Sequence, residues 1–180
     1  PVDRTTETTW WGLIAILRGL RDADASDVGE CLHRAGFRSL EVPLNSPDPF
    51  RTIGTLRRVL PQDCMVGAGT VLTVHQVRQS HEAGAQFIVS PNTNTDVIAE
   101  ALQLGQQSFP GAATPSEAFT AIDAGARHVK VFPASQVGTA GRSARHAVLP
   151  RDHGLNPVRG RSGARSVGED GRAGGSYIAW

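Results

Sequence analysis

Four times in this chain an amphipathic segment ends on a small residue and glycine, and an apolar run begins within a few residues. The copies are His33-Arg34-Ala35-Gly36 before Ser39-Leu40-Glu41-Val42, His81-Glu82-Ala83-Gly84 before Phe87-Ile88-Val89, Leu102-Gln103-Leu104-Gly105 before Ser108-Phe109-Pro110, and Ile122-Asp123-Ala124-Gly125 before His128-Val129-Lys130-Val131. In each, glycine stands where a helix stops on a left-handed residue. The glycines at 84, 105 and 125 are 21 and 20 residues apart, and the wider step from Gly36 to Gly84 holds one more strand near Met65 to Thr70. With Leu13 to Leu17 as the first, six strands are expected, over about 13–18, 39–44, 64–70, 87–92, 108–113 and 128–133.

Short apolar strands alternating with helices imply an α/β protein with a parallel sheet, and near-regular repetition favours a closed TIM-type (β/α) barrel over an open doubly wound sheet. A chain of 180 residues accommodates one such domain with a core, so 1–180 is expected to be a single barrel domain. Residues 11–140 carry its well-patterned units. Residues 141–180 are an atypical Gly/Arg-rich region without a clear pair of apolar strands, so the seventh and eighth units are expected to be degraded or truncated.

Seven arginines lie in that last region, Arg142, Arg145, Arg151, Arg159, Arg161, Arg165 and Arg172. Clustered arginine is a footprint of phosphate binding, but no aromatic residues interleave with these, so no nucleic-acid partner is expected. No apolar stretch is long enough for a signal peptide or a membrane span. Cys31 and Cys64 lack C-x-x-C spacing and read as small core residues of a protein in a reducing compartment. The six histidines, His33, His75, His81, His128, His146 and His153, form no H-x-x-H or H-E-x-x-H pairing, so no metal is expected. Gly67-Ala68-Gly69-Thr70 lacks the spacing of a dinucleotide or P-loop fingerprint, so no nucleotide cofactor is expected either.

Lys130 is the only lysine; the other seventeen basic residues are arginines. Its neighbours Val129, Val131 and Phe132 place it in an apolar strand that a barrel encloses. Burial lowers an amine's pKa and keeps part of it neutral, which attack on a carbonyl requires, so Lys130 is the candidate Schiff-base nucleophile. Glu41 follows Gly36 by five residues, as Lys130 follows Gly125, so both project near the same barrel end. A carboxylate there can move the protons of imine chemistry. A structural pair with Arg18 is the alternative, and the two are compatible. Arg18, ending the first strand, suits a carboxylate or phosphate held by paired hydrogen bonds, and Thr70 adds a hydroxyl at the end of the third.

Leu13-Ile14-Ala15-Ile16-Leu17-Arg18-Gly19, Glu41-Val42-Pro43-Leu44-Asn45-Ser46-Pro47, Gly67-Ala68-Gly69-Thr70-Val71, Ser90-Pro91-Asn92, Pro110-Gly111-Ala112-Ala113-Thr114 and Lys130-Val131-Phe132-Pro133-Ala134 together closely resemble the 2-dehydro-3-deoxy-6-phosphogalactonate aldolases. The resemblance runs in order from about residue 11 to 152. Related phosphogluconate aldolases usually read Thr-Leu-Arg-Thr after the catalytic Glu, so Pro43-Leu44-Asn45-Ser46 points to the galactonate branch. The resemblance implies a cytoplasmic homotrimer that cleaves a phosphorylated six-carbon keto acid reversibly to pyruvate and D-glyceraldehyde 3-phosphate without metal or organic cofactor. It makes Lys130 the Schiff-base residue and Glu41 the general acid/base, with Arg18, Thr70, Pro91, Phe132 and Gly160 as substrate contacts.

The chain departs from the family where phosphate is expected to bind. Pro157-Val158-Arg159-Gly160-Arg161 stands in place of an apolar Val-Gly-Gly-Val run, with only Gly160 fitting, and Gly174-Gly175-Ser176 resembles a remnant of the last strand's loop. The expectation is a reading frame disturbed or truncated near its end, which leaves an inactive barrel remnant, a phosphogluconate aldolase and a sugar-phosphate epimerase or isomerase as alternatives.

Overall fold

The computed structural model describes residues 13–133 and the backbone of 176–179. Strand β1 (Leu13–Ile16) leads through a short 3-10 turn at Asp22–Asp24 into α1 (Ala25–Arg34). Then follow β2 (Ser39–Pro43), α2 (Pro49–Val59), β3 (Met65–Gly69), α3 (Val74–Glu82), β4 (Phe87–Val89) and α4 (Thr95–Gln103). The order continues with β5 (Gln107–Phe109), β6 (Gly111–Ala112), α5 (Pro115–Asp123), β7 (Lys130–Val131) and β8 (Ser176–Ala179). Strands lie in the order β5-β4-β3-β2-β1-β8, with β6 paired to β7. All pairs are parallel except β1 with β8.

All six expected strand segments form. The fifth is interrupted at Pro110, because proline has no N–H to give a ladder. The Pro110 carbonyl still accepts from the Lys130 N–H at 2.8 Å, so β7 lies beside this fifth, broken strand. At the other edge β1 is also paired: Ser176–Ala179 runs antiparallel along it, Ile16 opposite Ser176 and Leu13 opposite Ala179. That strand lies within the region read as having no clear pair of apolar strands. Its Ser-Tyr-Ile-Ala is too short, and too isolated among glycines and arginines, to stand out as an apolar run.

The repeated glycines terminate their helices as expected. Gly36, Gly84, Gly105 and Gly125 have φ of +96°, +95°, +73° and +99°. Each donates its N–H to the carbonyl three residues back, and the next residue donates to the carbonyl five back, as Phe37 does to Leu32 and Ala126 to Ala121. These paired bonds are the Schellman motif, in which the left-handed residue turns the chain toward the next strand.

Strand alternation divides the structure into two packed faces. Ala15, Leu17, Leu40, Val42, Val66, Ala68 and Ile88 pack with Ile53, Leu56, Val77, Val97 and Ala101 of the helices. The intervening strand residues Ile14, Met65, Phe87, Val89 and Phe109 form a separate cluster on the opposite face. Glu41, Gly67 and Phe87 are successive register partners, so Glu41 belongs to this second face. Cys64 is buried, whereas Cys31 is exposed, correcting its reading as a core residue. Position 31 falls off the Ala25, Val28, Gly29, Leu32 stripe by which α1 packs.

Candidate active site

Glu41 is 2% exposed and Lys130 is 8% exposed, both among apolar strand residues. They influence one another electrostatically, and the Arg18 charge is felt by both. Burial raises the Glu41 carboxyl from the usual 4.5 to about 7, with Lys130 and then Arg18 opposing the shift. Burial also lowers the Lys130 ammonium, which Glu41 opposes and Arg18 assists. Among the described residues Oε2 of Glu41 accepts no hydrogen bond. No ion pair joins Glu41 to Arg18 or Lys130 there, so a direct Glu41–Arg18 bridge is not the arrangement. The pair holds an acid and an amine whose burial brings both closer to neutrality, the condition for proton transfer and nucleophilic attack near pH 7.

The two glycines of Gly67-Ala68-Gly69-Thr70 have a role that the sequence does not reveal. A Cβ at Gly67 would meet the Phe87 ring, and one at Gly69 would meet the Glu41 carboxylate, with Glu41 Cδ at 2.5 Å and Cγ at 2.8 Å. The absent side chains make room for an aromatic floor and for the acid. The floor continues from Phe87 to Phe109, edge to face at 5.7 Å between centroids, and to His128, stacked on Phe109 at 5.1 Å.

Thr70 has a φ of +58°. A β-branched residue rarely occupies the left-handed region, and such strain concentrates at functional sites. The flanking groups fix it: the Gly69 carbonyl accepts from Leu44 N–H at 2.8 Å, and Val71 N–H donates to the Val89 carbonyl at 3.2 Å. Pro91 is half-buried, and its carbonyl lies against Gly111, leaving no space for a Cβ there. Phe132 is 41% exposed, with Lys130 Nζ 4.8 Å from its ring centroid, within cation–π range. Its ring thus borders the lysine from the solvent side instead of joining the core. Gly160 and the C-terminal arginines lie outside the described residues.

The description "KDPG and KHG aldolase" fits residues 6–144, most of the chain. The chain belongs to the KDPG and KHG aldolase family. This family is one of carbon–carbon lyases. Within it, the chain is 47% identical over 150 residues to a probable 2-dehydro-3-deoxy-6-phosphogalactonate aldolase of Rhizobium meliloti, covering 83% of this chain and 71% of that protein. The solved structure of native KDPGal matches with a TM-score of 0.74 and 43% identity, over 77% of this chain and 68% of that one. A KDPG aldolase from Legionella pneumophila, with pyruvate captured as a covalent carbinolamine, matches with a TM-score of 0.72 and 29% identity, over 77% of this chain and 68% of that one. These likenesses bear out both the TIM-type α/β class and the resemblance to phosphogalactonate aldolases. Among the described residues of this KDPG and KHG aldolase family member, no three or more His, Cys, Asp or Glu side chains form a metal-binding group, and no helix is long and apolar enough to cross a membrane.

Proposed function

We propose that this chain is a class I aldolase that reversibly cleaves 2-dehydro-3-deoxy-6-phosphogalactonate to pyruvate and D-glyceraldehyde 3-phosphate. The observation that carries the reading is the buried Lys130–Glu41 pair, an amine and a carboxyl that feel each other's charge and are both pushed toward their neutral forms by burial. The identity to a phosphogalactonate aldolase supports the choice of substrate.

The neutral Lys130 Nζ attacks the C2 carbonyl carbon to give a carbinolamine, which loses water to leave a protonated imine. The Glu41 carboxylate takes the proton from the C4 hydroxyl, directly or through one water, as the C3–C4 bond breaks. The aldehyde carbonyl forms at C4, and the bonding electrons pass into the imine to leave an enamine. Protonation of the enamine at C3 and hydrolysis of the resulting imine release pyruvate and restore the free amine. Arg18 binds an anionic group of the substrate, Thr70 binds the keto-acid carboxylate, and Pro91 and Phe132 border the ligand. Gly160 contributes to phosphate binding. The active form is a homotrimer located in the cytoplasm.

Incubation with pyruvate and borohydride, followed by intact and peptide mass spectrometry, tests the reading. A reduced pyruvyl adduct on Lys130, absent from Lys130→Ala, is the expected result. An epimerase or isomerase working by proton transfer alone gives no adduct. Failure of the folded native protein to form one overturns the proposal.

A further inference from the structure

Arg18 is exposed and lies in a tight turn, and among the described residues its side chain forms no ion pair that fixes its direction. The Leu20 N–H donates to the Leu17 carbonyl at 3.2 Å, closing a four-residue turn with Arg18 and Gly19 at its centre. Gly19 has a φ of +77°, the left-handed third position that distinguishes a type II from a type I turn. These two turn types differ mainly by a flip of the central peptide, here the one joining Arg18 to Gly19. The N–H of that peptide donates to Ser46 Oγ at 3.0 Å.

Ser46 is itself held firmly. It is 8% exposed, and its N–H donates to the Pro43 carbonyl at 2.9 Å, so a second turn carries the chain directly from the end of β2 to Ser46. The turn that follows the Glu41 strand therefore supplies a hydroxyl that accepts from the peptide joining Arg18 to Gly19. We propose that Ser46 is a positioning residue, whose hydroxyl oxygen selects the turn geometry that aims Arg18 toward the Glu41–Lys130 site.

This inference rests on the aldolase reading, because it takes pyruvate as the ligand that Arg18 helps to hold. The test is the pyruvate concentration giving half-maximal borohydride-trapped adduct in native protein, Ser46→Ala, Ser46→Thr, Arg18→Ala and the Ser46→Ala/Arg18→Ala pair. Thermal melting reports their folding. Loss of one hydrogen bond predicts a rise of about three- to tenfold for Ser46→Ala. Ser46→Thr keeps the acceptor oxygen and stays within about twofold of native. In the Arg18→Ala background, Ser46→Ala adds less than about twofold, because coupled residues are not additive. No rise in Ser46→Ala, or an undiminished rise without Arg18, overturns the positioning role. No adduct in the native protein overturns the aldolase reading, and this inference with it, before any substitution is compared.

Discussion

The carboxylate of Glu41 lies across the Cα of Gly69, in the space a side chain there would occupy. Gly69 has no positive φ, so space, and not backbone conformation, excludes other residues. The colliding atoms are the far end of a flexible side chain. Gly69→Ala is therefore expected to shift the acid instead of unfolding the protein. Small displacements of a reacting group cost about a hundredfold in rate, so kcat should fall by about that factor while the melting temperature changes little. Gly67→Ala makes the contrast, since its Cβ meets the Phe87 ring within the apolar floor. It should lose about 1–3 kcal/mol of stability by overpacking and retain more of kcat, as denaturant unfolding and steady-state kinetics will show.

Burial of Glu41 sets a definite sign for stability against pH. With the folded carboxyl raised from 4.5 to about 7, the folded state binds more protons than the unfolded state in that interval. Stability therefore falls as pH rises from about 4.5 to 7, by up to about 3 kcal/mol. Lys130, lowered on folding, acts oppositely at higher pH: stability rises as pH passes its folded value toward its unfolded value. Glu41→Gln should flatten the fall between pH 5 and pH 7. Urea unfolding at these two pH values measures it, and an equal fall in the variant would assign the slope to other groups.

What the sequence made legible was local and periodic. Helix ends at Gly36, Gly84, Gly105 and Gly125 could be placed because the left-handed stop is a property of a few adjacent residues. Burial of Lys130 followed from its apolar neighbours. The Gly69–Glu41 approach was not legible, because it joins residues 28 positions apart whose relation depends on the register of β2 with β3. The Ser46–Gly19 bond was hidden likewise, spanning 27 positions between two turns. Cys31 misled because a small apolar residue fits either face of a helix, and only the packing of α1 decides which one is buried.

The same carboxyl predicts the pH dependence of turnover. If Glu41 accepts the C4 hydroxyl proton, only its ionised form supports cleavage, so kcat/KM should rise through about pH 7. Glu41→Gln should lower kcat by about 10²- to 10⁴-fold above pH 7 and abolish the rise through pH 7, while still permitting a trapped adduct on Lys130. A pH–rate profile unchanged in shape in the variant would show that another group carries this proton.

Thr70 offers a separation of strain from binding. Its φ of +58° is unfavourable for a β-branched side chain, whereas Asn tolerates the left-handed region through local hydrogen bonding. Thr70→Asn should therefore raise stability by about 1 kcal/mol. It should also weaken pyruvate binding, because the amide N–H₂ sits one atom further from the backbone than the threonine O–H and cannot donate to a carboxylate from the same position. Thermal unfolding and the pyruvate dependence of adduct formation measure the two effects on the same sample. Improved stability with a higher pyruvate requirement is the expected outcome, since the strain that holds Thr70 is then traded against the contact it makes. Lower stability with unchanged pyruvate dependence would remove Thr70 from the binding site and leave its backbone as a feature of the β3 turn alone.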